Sequence, residues 1–210
     1  MPYAFKPDLR PRLTGNLAGF ERRVIDNPDL RQAGVAIVVV NHEITGEACV
    51  LLTKRPESLR RHAGQWALPG GRLDGSETLE QATLRELHEE LRLELAPDNI
   101  LGLLDDFPTR SGFVITPVVV WGGVVDRIDP DPVEVAFVLR IPFSELDSPA
   151  IPHLRPTEGD KPPVMSAPLP VTGGEVYAPT AAMLYQFREV AMRGLATRVA
   201  HFDQPKFAWK

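Results

Sequence analysis

Three glutamates, Glu86, Glu89 and Glu90, stand at i, i+3 and i+4 in the run LRELHEEL. On an α-helix that spacing places their carboxylates side by side on one face. Crowded like charges repel by about 0.2–0.5 kcal/mol per pair, so either water screens them or a cation lies between them. Hard oxygen ligands on a rigid element suit Mg²⁺ or Mn²⁺. Leu84, Leu87 and Leu91 fall on the opposite side and form the stripe that buries the helix, so the acids are expected to face outward, into a cleft or solvent. A solvated acidic face partly neutralised by Arg85 and Arg92 would carry the same residues, so the surroundings must decide. Upstream, Gly70, Gly71 and Gly75 allow a tight loop whose backbone can approach a phosphate or lend carbonyl oxygens to a metal. Asp74 and Glu77 have capping-box spacing and mark the expected start of the helix, which runs through about Leu93 before Pro97-Asp98 closes it.

The elements that must position these residues are legible by composition. GVAIVVV from Gly34 and EACVLLTKR from Glu47 are apolar, largely β-branched runs that predict two strands of a buried sheet. FVITPVVVWGGVV and VEVAFVLRI predict two more, joined through Pro130-Asp131-Pro132, with Glu134 at the start of the second. Residues 1–33 read as an extension around a short helix near Leu17 to Ile25, and 34–148 as the core. Residues 149–175 read as a proline-rich surface loop that lines or covers something, and 176–210 as a last helix, about Thr180 to Arg193, with a tail. Strands on both sides of one central helix point to a mixed α/β layer fold.

A chain of 210 residues, 43% hydrophobic and 24% charged, is long enough for one domain with a substantial core. Its 21 prolines are about twice the usual share and imply long rigid connections. With 28 acidic against 23 basic side chains there is no diffuse cationic field to hold nucleic acid. No apolar run reaches membrane-spanning length and the N-terminus lacks a signal-peptide core, so no membrane partner is expected. The single cysteine, Cys49, lies in an apolar run and reads as a buried structural thiol, which fits a reducing, cytosolic setting. The sequence is compatible with a homodimer and does not decide the oligomeric state.

From Gly71 to Leu93 the spacing resembles the signature of the Nudix hydrolases. Gly71 opens it, Glu77 follows after five residues, Arg85-Glu86 after seven more, then Leu87, Glu89, Glu90 and the closing aliphatic Leu93. One position departs: Arg92 stands where that family has glycine, which implies a longer helix or a strained turn. The resemblance implies an α/β/α sandwich with a mixed β-sheet, and a metal-dependent hydrolase of nucleoside diphosphates linked to another group. It further implies that Glu86, Glu89 and Glu90 ligate the divalent ion, with the carbonyl of Gly70 or Gly71 completing the shell. Arg85 and Glu77 would brace the loop against the helix. An acid outside the signature would help deprotonate water; Glu134 is the nominee, with Asp105 and Asp106 behind it.

A second stretch, LLTKRPESLRRHAGQWALPGG, resembles the coenzyme A diphosphatase branch of the same family. Leu51, Leu52, Thr53, Arg55, Arg60, Gly64, Pro69, Gly70 and Gly71 match it, whereas Pro56 and Leu68 depart. Independently of family, Arg55, Arg60, Arg61 and Arg72 surround the glycines with guanidinium groups suited to extra phosphates. Coenzyme A or an acyl derivative is then the expected small-molecule substrate, and the proline-rich segment is expected to cover its pantetheine arm. A dinucleotide or nucleotide-sugar such as NADH or ADP-ribose is the rival, favoured by the two departures. A nucleotide sensor without turnover is a further one, favoured by Arg92. His42, His153 and His201 lack a neighbour at metal-ligand spacing, His88 beside the acids reads as a helix-surface or packing histidine, and Trp66, Trp121 and Trp209 read as packing residues.

Overall fold

A computed structural model describes residues 3–59, 62–157, 159 and 161–205. The strands are β1 Arg31–Asn41, β2 Ala48–Lys54, β3 Trp66–Ala67, β4 Gly70–Arg72, β5 Ile100–Leu103, β6 Phe107–Pro108, β7 Phe113–Gly123, β8 Phe137–Pro142, β9 His153–Arg155, β10 Val164–Leu169 and β11 Gly174–Tyr177. The helices are α1 Leu9–Ala18, α2 Leu79–Leu91, α3 Phe143–Leu146 and α4 Thr180–Phe187.

The centre of the sheet is β1, which runs parallel to β7 from Arg31↔Phe113 onward and antiparallel to β2 and β4. β5 and β6 add to β7, and β3 and β8 to β2, all antiparallel, so the sheet is mixed. The unbroken apolar run of β1 has the composition of a strand covered on both faces. Ala36, Val38 and Val40 pack with Leu87 and Leu91 of α2, while Ile37 and Val39 pack with Leu9, Leu13 and Leu17 of α1 and with Met183 and Phe187 of α4. The result is the expected α/β/α sandwich. Among the described residues no helix is long and apolar enough to cross a membrane.

Several elements differ from the sequence expectations. The N-terminal helix is Leu9–Ala18, not Leu17 to Ile25, because its leucines recur as a buried stripe on the sheet. The stretch that follows has no regular structure and is held by two buried acids. Asp106 takes the Arg22 guanidinium at 2.6 Å and the Ile25 N–H at 2.8 Å, and Asp105 takes the Arg23 N–H at 2.8 Å. The proline-rich segment is not a surface loop. It contributes β9 and β10, which with β11 form a separate three-stranded antiparallel sheet, and Met165, Ala167 and Leu169 of β10 are buried in the core. The last helix is placed as expected, with α4 continuing as a π-turn over Arg188–Met192.

Candidate functional site

The helix α2 starts four residues later than the Asp74–Glu77 spacing suggested. Thr78 is its N-cap: its hydroxyl accepts from the Gln81 N–H and the Gln81 side chain accepts from the Thr78 N–H, a complete capping box. Glu77 still reaches back to the Asp74 N–H at 2.9 Å, closing the turn before the helix. That leaves Glu77 free on its other side for Arg85. The Arg85 Nε donates to one Glu77 oxygen at 2.9 Å and a terminal nitrogen to the other at 3.1 Å, a bidentate pair. The same guanidinium donates to the Arg72 carbonyl at 3.0 Å, to Glu86 at 3.0 Å and to Glu89 at 2.8 Å. Its hydrogen bond holds the Glu77 carboxyl below the usual carboxylate range.

This arginine joins the turn, β4 and two of the acids, so replacing it should misplace all of them together. Arg85→Ala is expected to lower metal-dependent activity about 10- to 100-fold. Arg85→Lys should recover only part, because an ammonium cannot span both Glu77 oxygens. Initial rates measured across a range of Mn²⁺ concentrations check this; a lysine variant equal to the parent would show that the bidentate geometry is unimportant.

The three acids of the helix do not share one environment. Glu90 is buried beneath β4 and accepts the Gly70 N–H at 3.1 Å. Burial pushes its carboxyl up to about 8, against the Gly70 hydrogen bond, and the nearby Glu86 and Glu134 push the same way. Glu86 is half-buried against the bare Cα of Gly71 and is also raised, first by burial. Glu89 is exposed and pairs with Arg85. Of the two surroundings expected for the acidic face, Glu89 meets solvent while Glu86 and Glu90 turn in against the glycines of β4.

The third partner in space is Glu134. Ligand atoms of Glu86, Glu90 and Glu134 all lie within 4.8 Å of one another, and Glu89 is not part of that group. Glu134 does not open a strand. It stands on a turn ahead of β8, because the Asp131 carbonyl accepts the N–H groups of Glu134 at 3.1 Å and Val135 at 2.8 Å and curls the chain there. Asp105 and Asp106 are occupied elsewhere. Asp105 takes Arg198 at 2.6 Å and Gln186 at 2.9 Å, and Asp106 takes Arg22 and Thr116, so both anchor the chain termini to the core.

Arg92, in the family's glycine position, ends the helix in the left-handed region at φ 55°, ψ 31°. Its N–H bonds the His88 carbonyl and the Leu93 N–H reaches back to Leu87, so the helix stops as it would with glycine there. Of the two alternatives the sequence left for Arg92, the strained turn holds.

Beside the acids lies a cleft of about 270 Å³. Gly70 and Gly71 line it on one side and contact Glu90 and Glu86 on the other, with no side chain between. Arg55 and Arg72 also line it. The Arg55 Nε is buried and has no hydrogen-bond partner among the described residues, and the charge of Arg55 is felt at Glu90. Arg60 and Arg61 lie outside the described residues. Trp66 and Leu68 form part of the apolar wall, so Trp66 is a cleft residue, while Trp121 stacks on Phe5; Trp209 lies outside the described residues.

Sequence reasoning missed the far wall. Thr109, Ser111 and Phe113 before and at the start of β7, Met183 of α4 and Gln204 of the tail all line the cleft. The guanidinium groups of Arg31 and Arg72 lie 4.1 and 5.1 Å from the Phe113 ring centre. No local spacing announces these far-wall residues, which come from three separate segments. The proline-rich segment was expected to cover the site. Within 149–180 the residues that reach the cleft or the smaller cavity beside it are Glu175 to Thr180, downstream of most of those prolines.

The donor set fits a hard divalent cation: oxygen ligands alone, convergent, and including a buried carboxylate whose ionisation an adjacent cation would favour.

Comparison with known proteins gives a concordant picture. The Nudix hydrolase NudL of Enterobacter sp. (strain 638), called uncharacterized in its name, is 41% identical over 119 residues, 55% of this chain and 59% of that one. Its namesake from Citrobacter koseri is 36% identical over 141 residues, 65% of each chain. The chain thus spans about three-fifths of the length of the curated relatives it matches. A solved MutT/nudix family protein from Enterococcus faecalis covers 80% of this chain and 65% of its own at a TM-score of 0.50 and 14% identity, a likeness of fold alone. The NUDIX domain model matches residues 30–160, more than half of the chain, and with the signature carboxylates standing on α2 this chain belongs to the Nudix family.

Proposed function

We propose that the chain is a metal-dependent diphosphatase that cleaves a diphosphate bond in a nucleoside diphosphate linked to another moiety. Its proposed substrate is coenzyme A or an acyl-coenzyme A, giving 3′,5′-ADP and (acyl-)4′-phosphopantetheine. The observation that carries this reading is the convergence of Glu86, Glu90 and Glu134 within 4.8 Å, beside a cleft lined by Arg55.

Glu86, Glu90 and Glu134 would hold Mg²⁺ or Mn²⁺, with Glu89 and the Gly70 carbonyl as further donors. Such an ion supplies charge neutralisation on phosphoryl oxygens and makes water more acidic. Arg55, whose buried Nε has no partner among the described residues, binds a phosphoryl oxygen, and Arg72, which also lines the cleft, meets the 3′-phosphate. Arg60 and Arg61, nominated from the sequence as further phosphate-binding residues, lie outside the described residues. Glu134, exposed on its turn, accepts the proton that the attacking water gives up. Arg85 and Glu77 hold the carboxylates and the glycine strand in register. Gly70 and Gly71 let the substrate backbone of phosphates approach the acids closely. The lone buried thiol of Cys49, pushed up to about 12 by burial, suits a reducing cytosol and takes no part in the chemistry.

The test is a substrate panel with Mg²⁺ or Mn²⁺ in ¹⁸O-water: coenzyme A, acetyl-coenzyme A, NADH, ADP-ribose and diadenosine polyphosphates, with products identified by mass. Phosphopantetheine and 3′,5′-ADP are expected, and the label shows which phosphorus water attacks. Cleavage of only the other diphosphates would keep the metal reading and remove the coenzyme A one. Binding of nucleotide with no cleavage in the presence of metal would remove both in favour of a sensor.

A further inference from the structure

Arginine at a left-handed helix end is a local misfit, since glycine adopts that backbone without the Cβ contact that disfavours it. Among the described residues its side chain makes one ion pair, to the Asp131 carboxylate at 3.2 Å. Arg92 is 49% exposed and Asp131 29%, and ion pairs so wetted contribute little to stability. The pair therefore does not offset the strain through stability alone, and what Asp131 does becomes the question.

Asp131 ties two functional segments together. Its N–H donates to the Glu90 carbonyl at 2.9 Å, on the last turn of α2. One carboxylate oxygen accepts the Val133 N–H at 2.9 Å and the other takes Arg92. Its carbonyl accepts the N–H groups of Glu134 and Val135. Ligand atoms of Glu134 lie within 4.8 Å of those of Glu86 and Glu90, so each of these acids that ionises there repels the others. The turn on which it stands must hold it there.

We propose that Arg92 and Asp131 are a positioning pair that holds the Glu134 turn against the end of α2 and so sets Glu134 beside Glu86 and Glu90. Neither residue touches substrate or metal; both act through Glu134. The inference rests on the reading of these carboxylates as the metal-holding group.

Titration of Mn²⁺ into the full-length parent, Arg92→Gly, Arg92→Lys, Glu134→Gln and the Arg92→Gly/Glu134→Gln double variant, with melting curves of each, tests it. Arg92→Gly is expected to melt at or above the parent yet bind Mn²⁺ about tenfold more weakly. Arg92→Lys should recover most of the affinity. In the Glu134→Gln background Arg92→Gly should cost nothing further. An Arg92→Gly protein with parental Mn²⁺ affinity, a loss that adds in full to that of Glu134→Gln, or a loss that lysine does not rescue overturns the positioning pair. A Glu134→Gln protein with parental affinity, or a parent that takes up no Mn²⁺, overturns the carboxylate reading and the pair with it. A weakened Glu134→Gln beside an unaffected Arg92→Gly removes the pair alone.

Discussion

Glu90→Gln should give a folded protein that has lost diphosphate hydrolysis by roughly 10³-fold or more and that, without metal, melts above the parent at pH 8. The two effects have one cause. Glu90 lies beneath β4, where burial raises its carboxyl from 4.5 to about 8. In the unfolded chain the same group ionises near its ordinary value. Between the two values the native state holds a proton that the unfolded state has released, so stability falls as pH rises through that window and the loss is complete above about 8. Glutamine keeps the acceptor for the Gly70 N–H and cannot ionise, which removes this loss. Allowing for relaxation around the charge, the gain is on the order of 2 kcal/mol, or about 5 °C in a chain of this size. Mn²⁺ should raise the melting temperature of the parent and leave the variant nearly unchanged. Melting curves at pH 5 and pH 8, each with and without Mn²⁺, together with rates of diphosphate cleavage read as the two phosphomonoester products, measure all of it. A variant that melts below the parent at both pH values would mean that the carboxylate is not stored there at a cost.

Gly70→Ala is expected to be the most damaging single methyl in the site, costing on the order of 4 kcal/mol. Gly70 sits at φ 143°, and an added Cβ would overlap the Gly34 carbonyl and lie 2.7 Å from the Val35 Cα. Those are backbone atoms of β1, and the Gly70↔Val35 register leaves them no room to retreat. Any shift of β4 that relieved the overlap would also withdraw the Gly70 N–H from Glu90. Gly71→Ala makes the informative contrast. Its Cβ would overlap the Glu86 carboxylate, the end of a flexible side chain, so the methyl should displace one of the proposed metal-holding acids while sparing the fold. Urea unfolding and turnover of both variants separate the two cases: Gly70→Ala should lose chiefly stability and Gly71→Ala chiefly activity. Equal unfolding midpoints for Gly70→Ala and the parent would rule out the tight β1–β4 contact.

Helical periodicity is local, and that is why the acidic run was legible as a helix, with Leu87 and Leu91 on its buried side. The long apolar strands were legible for the same reason, since burial on both faces of β1 and β7 demands an unbroken apolar composition. Even some misses left a signal. Thr78 and Gln81 have capping-box spacing that Asp74 and Glu77 obscured, and the alternation of Met165, Ala167 and Leu169 marks a strand that the surrounding prolines hid.

Other features had no local trace. The spacing of Glu86, Glu89 and Glu90 puts three carboxylates on one helix face, but which of them converge depends on what approaches that face. The Glu134 turn approaches Glu86 and Glu90, while Arg85 draws Glu89 to itself, and an acid 44 residues along the chain from Glu90 takes its place in the cluster. The cleft wall is likewise assembled from the Arg55 loop, β4, β7, α4 and the tail, whose order in the chain says nothing of their meeting. Sequence alone determined the identity of the family, the helix that carries its acids and the cation chemistry those acids suit, because each follows from residues within a few turns of one another. Only the tertiary structure decided which acids face one another, which of them is buried and what closes the cleft, because burial and like-charge proximity are properties of contacts between segments that the chain brings together only on folding.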